Sequence, residues 1–378
     1  MLLLVTRPLV EVPAEPGPRL YDALRAALDG TGPAVLPTSP DPAAAARVRA
    51  ALRPDLPLED DEVALVVPTS GTTGEPKGVL LTAACLTASA GAAAERLGHP
   101  TAWLLALPVT HVGGLQVVLR ALAAGTEPVV ADHLTDHLAG AALPPGRRCT
   151  SLVPTQLRRL LADEGATAAL ATYDAVLVGA AATPPALVQQ ARDAGVRVVT
   201  TYGMSETSGG CVYDGAPLPG VRAQVRADGR IVLLGPVVAR GYRLRPDLTG
   251  QAFAGDAFTT GDLGRLGPDG RLTVLGRADD VVVTGGEKVA PAAVEAALAA
   301  HPAVAEVAVV GVPDAEWGAR VVAVVVLRSG AALSLDEVRD HVAARVSRVA
   351  APRELRVLPA LPLLPSGKVD RAVLQCRG

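Results

Sequence analysis

Thr69-Ser70-Gly71-Thr72-Thr73-Gly74-Glu75-Pro76-Lys77-Gly78 packs four hydroxyl side chains, three glycines and one lysine into ten residues. Glycines let backbone N–H groups approach an anion, hydroxyls donate further hydrogen bonds, and an ammonium adds a point charge. The decamer therefore reads as a cradle for phosphate oxygens. It is not the common NTPase loop, which needs Gly, four residues, then Gly-Lys-Ser/Thr opening a helix. Here Lys77 precedes its glycine, and the apolar run Val79-Leu80-Leu81 follows. With apolar Ala64 to Val67 ahead of it, the decamer is expected to join two strands. A helix begun by Thr82 is expected to run to Leu97.

Beyond this segment, short apolar or β-branched runs alternate with helical ones. Trp103 to Leu107, Val129 to Val130, Ser151 to Val153, Ala175 to Val178 and Val196 to Thr200 read as strands, and Pro184 to Ala194 as a helix. Such alternation predicts an α/β sheet covered by helices. From Val221 to Tyr242 the pattern changes to short strands with turns at Asp228-Gly229 and Gly235-Pro236. Pro268-Asp269-Gly270 signals another hairpin, so a small β subdomain is expected here. After Arg277, strands at Val281 to Val283, Glu306 to Val310 and Arg320 to Leu327 accompany helices at Pro291 to Ala300 and Ser334 to Val346. They predict a separate, small α+β domain, dividing the chain into residues 1–276 and residues 277–378.

The 378 residues, 49% hydrophobic and 19% charged, are ample for packed cores in two or three domains. A formal net charge of -3 without a long basic run gives no electrostatic footprint for nucleic acid. The apolar opening Met1 to Val5 is too short for a signal peptide and no stretch reaches spanning length, so a cytoplasmic protein without a membrane span is expected. Cys85, Cys149, Cys211 and Cys376 lack paired spacing and read as reduced thiols. His133 and His137 would share a helix face but have no third ligand nearby, so no structural metal is expected.

Four further segments follow the phosphate cradle in order: Tyr202-Gly203-Met204-Ser205-Glu206-Thr207, Thr260-Gly261-Asp262-Leu263-Gly264, Gly276-Arg277-Ala278-Asp279-Asp280 and Pro365-Ser366-Gly367-Lys368-Val369-Asp370-Arg371. Together the five resemble the adenylate-forming superfamily of acyl-CoA synthetases, luciferases and peptide-synthetase adenylation domains, from about residue 62 onward. The resemblance implies a large N-terminal domain of α/β sheets with a small β subdomain, plus a small mobile C-terminal α+β domain. The phosphate cradle comes early for that family, so much of the usual N-terminal subdomain is missing; none of the motifs is, and activity is expected to survive. Homodimer formation is left open.

The resemblance also implies the chemistry. A carboxylate is a poor electrophile until ATP turns it into an acyl-adenylate with AMP as leaving group, which requires the triphosphate to be held and charge to be neutralised as pyrophosphate departs. Thr69, Ser70, Gly71, Thr72, Thr73 and Lys77 would hold the phosphates, Glu206 would hold Mg²⁺, and Thr207 would touch the α-phosphate. Tyr202 would stack on adenine, Gly203 and Met204 would also bind the nucleotide, and Gly179, Ala180 and Ala181 would form the opposite wall. Asp262 would accept the ribose hydroxyls with Arg277 nearby. Lys368 would be the catalytic lysine of adenylation. For the second half-reaction, with CoA, Asp279 would be the hinge, and Gly285 and Gly286 would line the pantetheine path.

For the acid, His111 in His111-Val112-Gly113-Gly114-Leu115 matches the family's pocket gate. The segments Thr150 to Leu161 and Ser208 to Gly215 are similar to the o-succinylbenzoate-CoA ligase group, with Gly209 and Gly210 leaving room for an aromatic ring. A second carboxylate needs a cation or several donors to offset its desolvation; His111, Gln156 and Arg158 are the candidates, while at least one of Arg158 and Arg159 reads better as a solvated helix residue. The alternatives are a CoA ligase for another aryl or medium-chain acid, an adenylation domain serving a separate carrier protein, and a non-catalytic nucleotide-binding regulator.

Overall fold

The computed structural model describes residues 7–70, 75–131, 143–363 and 369–376, and only the backbone of Ser70. Gly71, Thr72, Thr73 and Lys368 lie outside the described residues, as do His133 and His137. Among the described residues no helix is long and apolar enough to cross a membrane.

The phosphate decamer does join two strands. Val63–Ser70 and Pro76–Thr82 form an antiparallel hairpin in which Thr69 lies opposite Lys77. The Thr82 hydroxyl then accepts from the Cys85 N–H at 3.1 Å and so starts the helix Ala83–Leu97, the usual way a threonine satisfies an orphan donor at a helix start. The hairpin belongs to a five-stranded sheet ordered Leu9–Pro13, Ala34–Thr38, Val63–Ser70, Pro76–Thr82, Gly241–Tyr242. Its first two strands alternate with the helices Pro18–Leu28 and Pro42–Leu52, elements that the Ala- and Pro-rich opening does not announce.

A buried arginine closes the N-terminal region. Arg243, 1% exposed, donates to the carbonyls of Leu52, Arg53, Leu56 and Pro57 and pairs with Glu59 at 3.0 Å. A guanidinium carries five N–H donors in a fixed fork, and here the fork pins an irregular connector whose carbonyls would otherwise lack partners.

The second sheet has seven strands in the order Ala216–Pro217, Gly209–Tyr213, Val198–Met204, Ala175–Val178, Arg148–Leu152, Ala102–Leu105, Val129–Val130. The last five are mutually parallel. A third sheet, built on Arg222–Val225, Arg230–Leu234, Ala257–Leu266 and Leu272–Arg277, is the small β subdomain, with the expected turns at Asp228-Gly229 and Pro268-Asp269-Gly270. Beyond it, the hairpin Val282–Thr284/Glu287–Val289 and the sheet Val304–Asp314, Gly318–Leu327, Glu354–Val357 pack with the helices Pro291–Ala299 and Leu335–Arg345. Among the described residues, buried apolar clusters draw either on residues 9–272 or on residues 282–374 and not on both.

Candidate active site

The C-terminal ends of the parallel strands Arg148–Leu152 and Ala175–Val178 open toward a cavity that the helix Val112–Ala123 and the strand Gly209–Tyr213 complete. Ligands bind at this end of an open α/β sheet because backbone groups and loops converge there. Gly179, the first residue beyond its strand, lines the cavity; a Cβ there would meet the Thr201 hydroxyl oxygen at 2.2 Å, so only glycine allows the approach. Ala180 follows with φ 65, in the left-handed region. Gly209, at φ 95, is also confined to glycine, since a Cβ would press to 2.9 Å on Gln116 Cγ.

On the nucleotide side, the Tyr202 hydroxyl donates to Asp262 Oδ2 at 2.8 Å. Arg277 lies opposite Asp262 in the strand register, with Nη1 3.6 Å from Oδ1, and its Nη2 donates to Asp279 at 3.1 Å. Arg277 thus joins the predicted ribose acceptor to the predicted hinge. Burial, and then the Asp262 charge, hold the Tyr202 phenol well above its ordinary range, so it remains a donor. Glu206 sits on the single turn Ser205–Thr207 and accepts from the Tyr242 hydroxyl at 2.8 Å. Lys77 Nζ lies 5.5 Å from the Tyr242 ring centroid, which brings the phosphate cradle and Glu206 to one place.

Several expected residues are committed elsewhere. Thr207 is fully buried, its hydroxyl accepting from Met204 N and donating to the Gly209 carbonyl, so it holds the turn's shape. Gln156 caps its own helix, accepting from Val153 N at 3.0 Å and donating to the Ala106 carbonyl at 2.9 Å. Arg158 faces the C-terminal residues, donating to the Ala305 carbonyl at 2.6 Å with Glu306 3.5 Å away. His111 is exposed at the start of the helix Val112–Ala123, whose first residues line the cavity mouth. Gly285 and Gly286, at φ 58 and 84, make the two-residue turn of a tight hairpin against Trp317, a turn type that requires positive φ at both positions.

The cavity's own polar residues escaped the sequence reading. Gln116 and Arg120, 1% and 6% exposed, line it together with Tyr213, which is fully buried. Neither amide atom of Gln116, nor Arg120 Nε, nor the Tyr213 hydroxyl has a hydrogen-bond partner among the described residues. Among the described residues Arg120 pairs with no carboxylate, and it lies 5.5 Å from the Trp103 ring centroid. Each unsatisfied buried polar group costs about 1–3 kcal/mol, so several around one cavity mark a place built for a polar ligand. The guanidinium would suit an anion there. The legible signal was a glutamine and an arginine four residues apart, on one face of an otherwise apolar helix.

Fold and site together define an enzyme that activates a carboxylate with ATP. The chain belongs to the AMP-binding enzymes, the adenylate-forming superfamily: the model for "AMP-binding enzyme" matches residues 18–243 and that for "AMP-binding enzyme C-terminal domain" matches residues 293–368. It is 50% identical over 367 residues, 94% of each chain, to a probable 2-succinylbenzoate–CoA ligase of Mycobacterium tuberculosis (strain ATCC 25618 / H37Rv). It is 34% identical to the 2-succinylbenzoate–CoA ligase of Geobacillus kaustophilus, covering 94% of this chain and 76% of that one. Among solved structures it is similar to o-succinylbenzoate CoA synthetase (MenE) from Bacillus subtilis in complex with the acyl-adenylate intermediate OSB-AMP, with TM-score 0.74, 28% identity and coverage of 94% and 81% of the two chains.

Proposed function

We infer that this acid–thiol ligase converts o-succinylbenzoate, ATP and CoA to o-succinylbenzoyl-CoA, AMP and pyrophosphate through an acyl-adenylate, a step of menaquinone biosynthesis. The observation that carries the substrate is the buried Arg120, unpaired among the described residues, in a cavity with Gln116 and Tyr213. The substrate has two carboxylates: one reacts with ATP, and the other meets Arg120. Gly209 and Gly210 leave room for the ring.

Asp262 accepts the ribose hydroxyls and Tyr202 stacks on adenine opposite Gly179, Ala180 and Ala181. The cradle from Thr69 to Lys77 grips the phosphates. Glu206 suits Mg²⁺, a hard cation that keeps several waters and takes one or two carboxylates beside substrate phosphates; one of its oxygens is fixed by Tyr242 and the other has no side-chain partner among the described residues. Magnesium held there would supply charge neutralisation for the departing pyrophosphate. Lys368 steadies the carboxylate and the α-phosphate during adenylation. Residues 277–378 then turn about Asp279 to admit CoA, exchanging the contacts of Arg158 with Ala305 and Glu306. No carrier of excess positive charge marks a nucleic-acid partner, and the cytoplasm is the proposed compartment.

Exchange of labelled pyrophosphate into ATP tests the first half-reaction. Exchange that depends on o-succinylbenzoate is expected; exchange indifferent to the acid would contradict the reading.

A further inference from the structure

Tyr242 touches both charged ends of the proposed triphosphate site. It occupies a two-residue strand, Gly241–Tyr242, paired antiparallel with Pro76–Thr82 so that Tyr242 lies opposite Val79. Lys77, two residues from Val79, shares that face of the sheet, and its ammonium lies 5.5 Å from the ring centroid. The hydroxyl of the same ring donates to Glu206 Oε1 at 2.8 Å.

The surroundings leave the ring little freedom. Tyr242 is 8% exposed, Phe253 packs edge-on with centroids 5.3 Å apart, and the Tyr242 N–H donates to the Thr249 hydroxyl at 2.9 Å. Gly241 has φ 144, and a Cβ there would come within 2.5 Å of Thr249 Cγ2, so glycine is what lets the strand sit this close. Next in sequence, the Arg243 N–H donates to the Gly78 carbonyl, and Ala239 N–H donates to the Glu206 carbonyl at 2.9 Å. Glu206 is thus tied to this segment by its backbone and by its carboxylate. Nothing in packing alone requires the hydroxyl, since phenylalanine would fill the same space.

We propose that Tyr242 is a positioning residue for adenylation: its hydroxyl aims the Glu206 carboxylate at the metal on the triphosphate, and its ring face holds the Lys77 ammonium on the same side. The proposal rests on the roles of Glu206 and Lys77 given above. One hydroxyl hydrogen bond fixes one carboxylate oxygen and leaves the other to the cation, while a ring face attracts an ammonium without neutralising it. The phenol is thereby a link between the phosphate hairpin and the magnesium carboxylate, which lie 129 positions apart in the chain.

Tyr242→Phe, alone and in a Glu206→Gln background, tests this with three readouts: Mn²⁺·ATP affinity by calorimetry, o-succinylbenzoate-dependent ATP–pyrophosphate exchange, and capture of preformed acyl-adenylate by CoA. A hydrogen bond to a charged group of this strength predicts about tenfold weaker Mn²⁺·ATP binding and slower exchange, with CoA capture within about twofold of the parent. In the Glu206→Gln background, Tyr242→Phe should add less than about twofold, because its effect runs through the carboxylate. Unchanged Mn²⁺·ATP binding, an equal fall in all three readouts, or full additivity would overturn the proposal. If the parent protein shows no acid-dependent exchange, the substrate reading fails, while the Mn²⁺·ATP measurements still decide the role of Tyr242.

Discussion

The Tyr202 hydroxyl donates to Asp262 Oδ2 at 2.8 Å, which fixes the carboxylate that faces the proposed ribose. Two strands from different sheets meet in that bond, and Arg277 guards the other carboxylate oxygen at 3.6 Å. Asp262→Asn keeps the shape and removes the charge, and should raise KM for ATP roughly 10- to 100-fold with little change in KM for the acid. Tyr202→Phe should raise it by less, about threefold to tenfold, because Arg277 still orients Asp262. Steady-state kinetics with each substrate varied in turn checks both; an equal rise in KM for the acid would contradict the assignment.

Arg120 makes a prediction of opposite sign for function and for stability. Arg120→Met removes a buried guanidinium that has no ion-pair partner among the described residues. It should lower kcat/KM for o-succinylbenzoate by roughly 10- to 100-fold while sparing benzoate, which has no second carboxylate. Replacing a buried unpaired charge by an apolar chain of similar volume should leave the melting temperature unchanged or higher. A lower melting temperature with equal losses on both acids would make Arg120 structural.

Lys368→Ala should slow ATP–pyrophosphate exchange by about a hundredfold, the loss expected on removing a preorganised charge from the reacting centre. CoA capture of preformed acyl-adenylate should change little. The flanking residues are fixed: Leu363 pairs with Val369, Asp370 N–H donates to the Pro362 carbonyl at 2.8 Å, and Arg371 is clamped between Glu295 and the Val309 carbonyl. Rapid-quench measurement of each half-reaction separates the two steps. Equal slowing of both would show that the lysine is not specific to adenylation.

The thiols should divide one against three. Burial disfavours the charged thiolate, and it pushes Cys149 and Cys211 up to about 12. Both therefore stay protonated at pH 8, and Cys85 is shielded by burial, whereas Cys376 is exposed. A thiol reagent at pH 8 should label one cysteine rapidly in the native protein and the other three only on unfolding. Fast labelling of two or more would contradict the burial.

Local chemistry was readable in advance where a few residues suffice to dictate geometry. Hydroxyls and glycines between two apolar runs announce the phosphate hairpin, Thr82 announces its helix, and Asp228-Gly229 announces a turn. Long-range commitments were not readable. Arg243 spends its fork on carbonyls some 190 positions away, so the closure of the first sixty residues has no local mark. Gln156 and Arg158 read as pocket donors because their types fit; only the fold reveals that one caps a helix and the other faces residues near 305. Arg120 was overlooked because it sits in a run that reads as apolar core, although its spacing from Gln116 marks a polar strip along that helix.

The most direct measurement follows acyl-CoA by mass in a mixture of the protein, ATP, Mg²⁺ and CoA, with o-succinylbenzoate set beside benzoate, hexanoate and amino acids. The prediction is o-succinylbenzoyl-CoA with matching AMP and pyrophosphate, and little product from the monocarboxylates. Preferred turnover of a monocarboxylic acid, or no acyl-CoA from any of them, would contradict it.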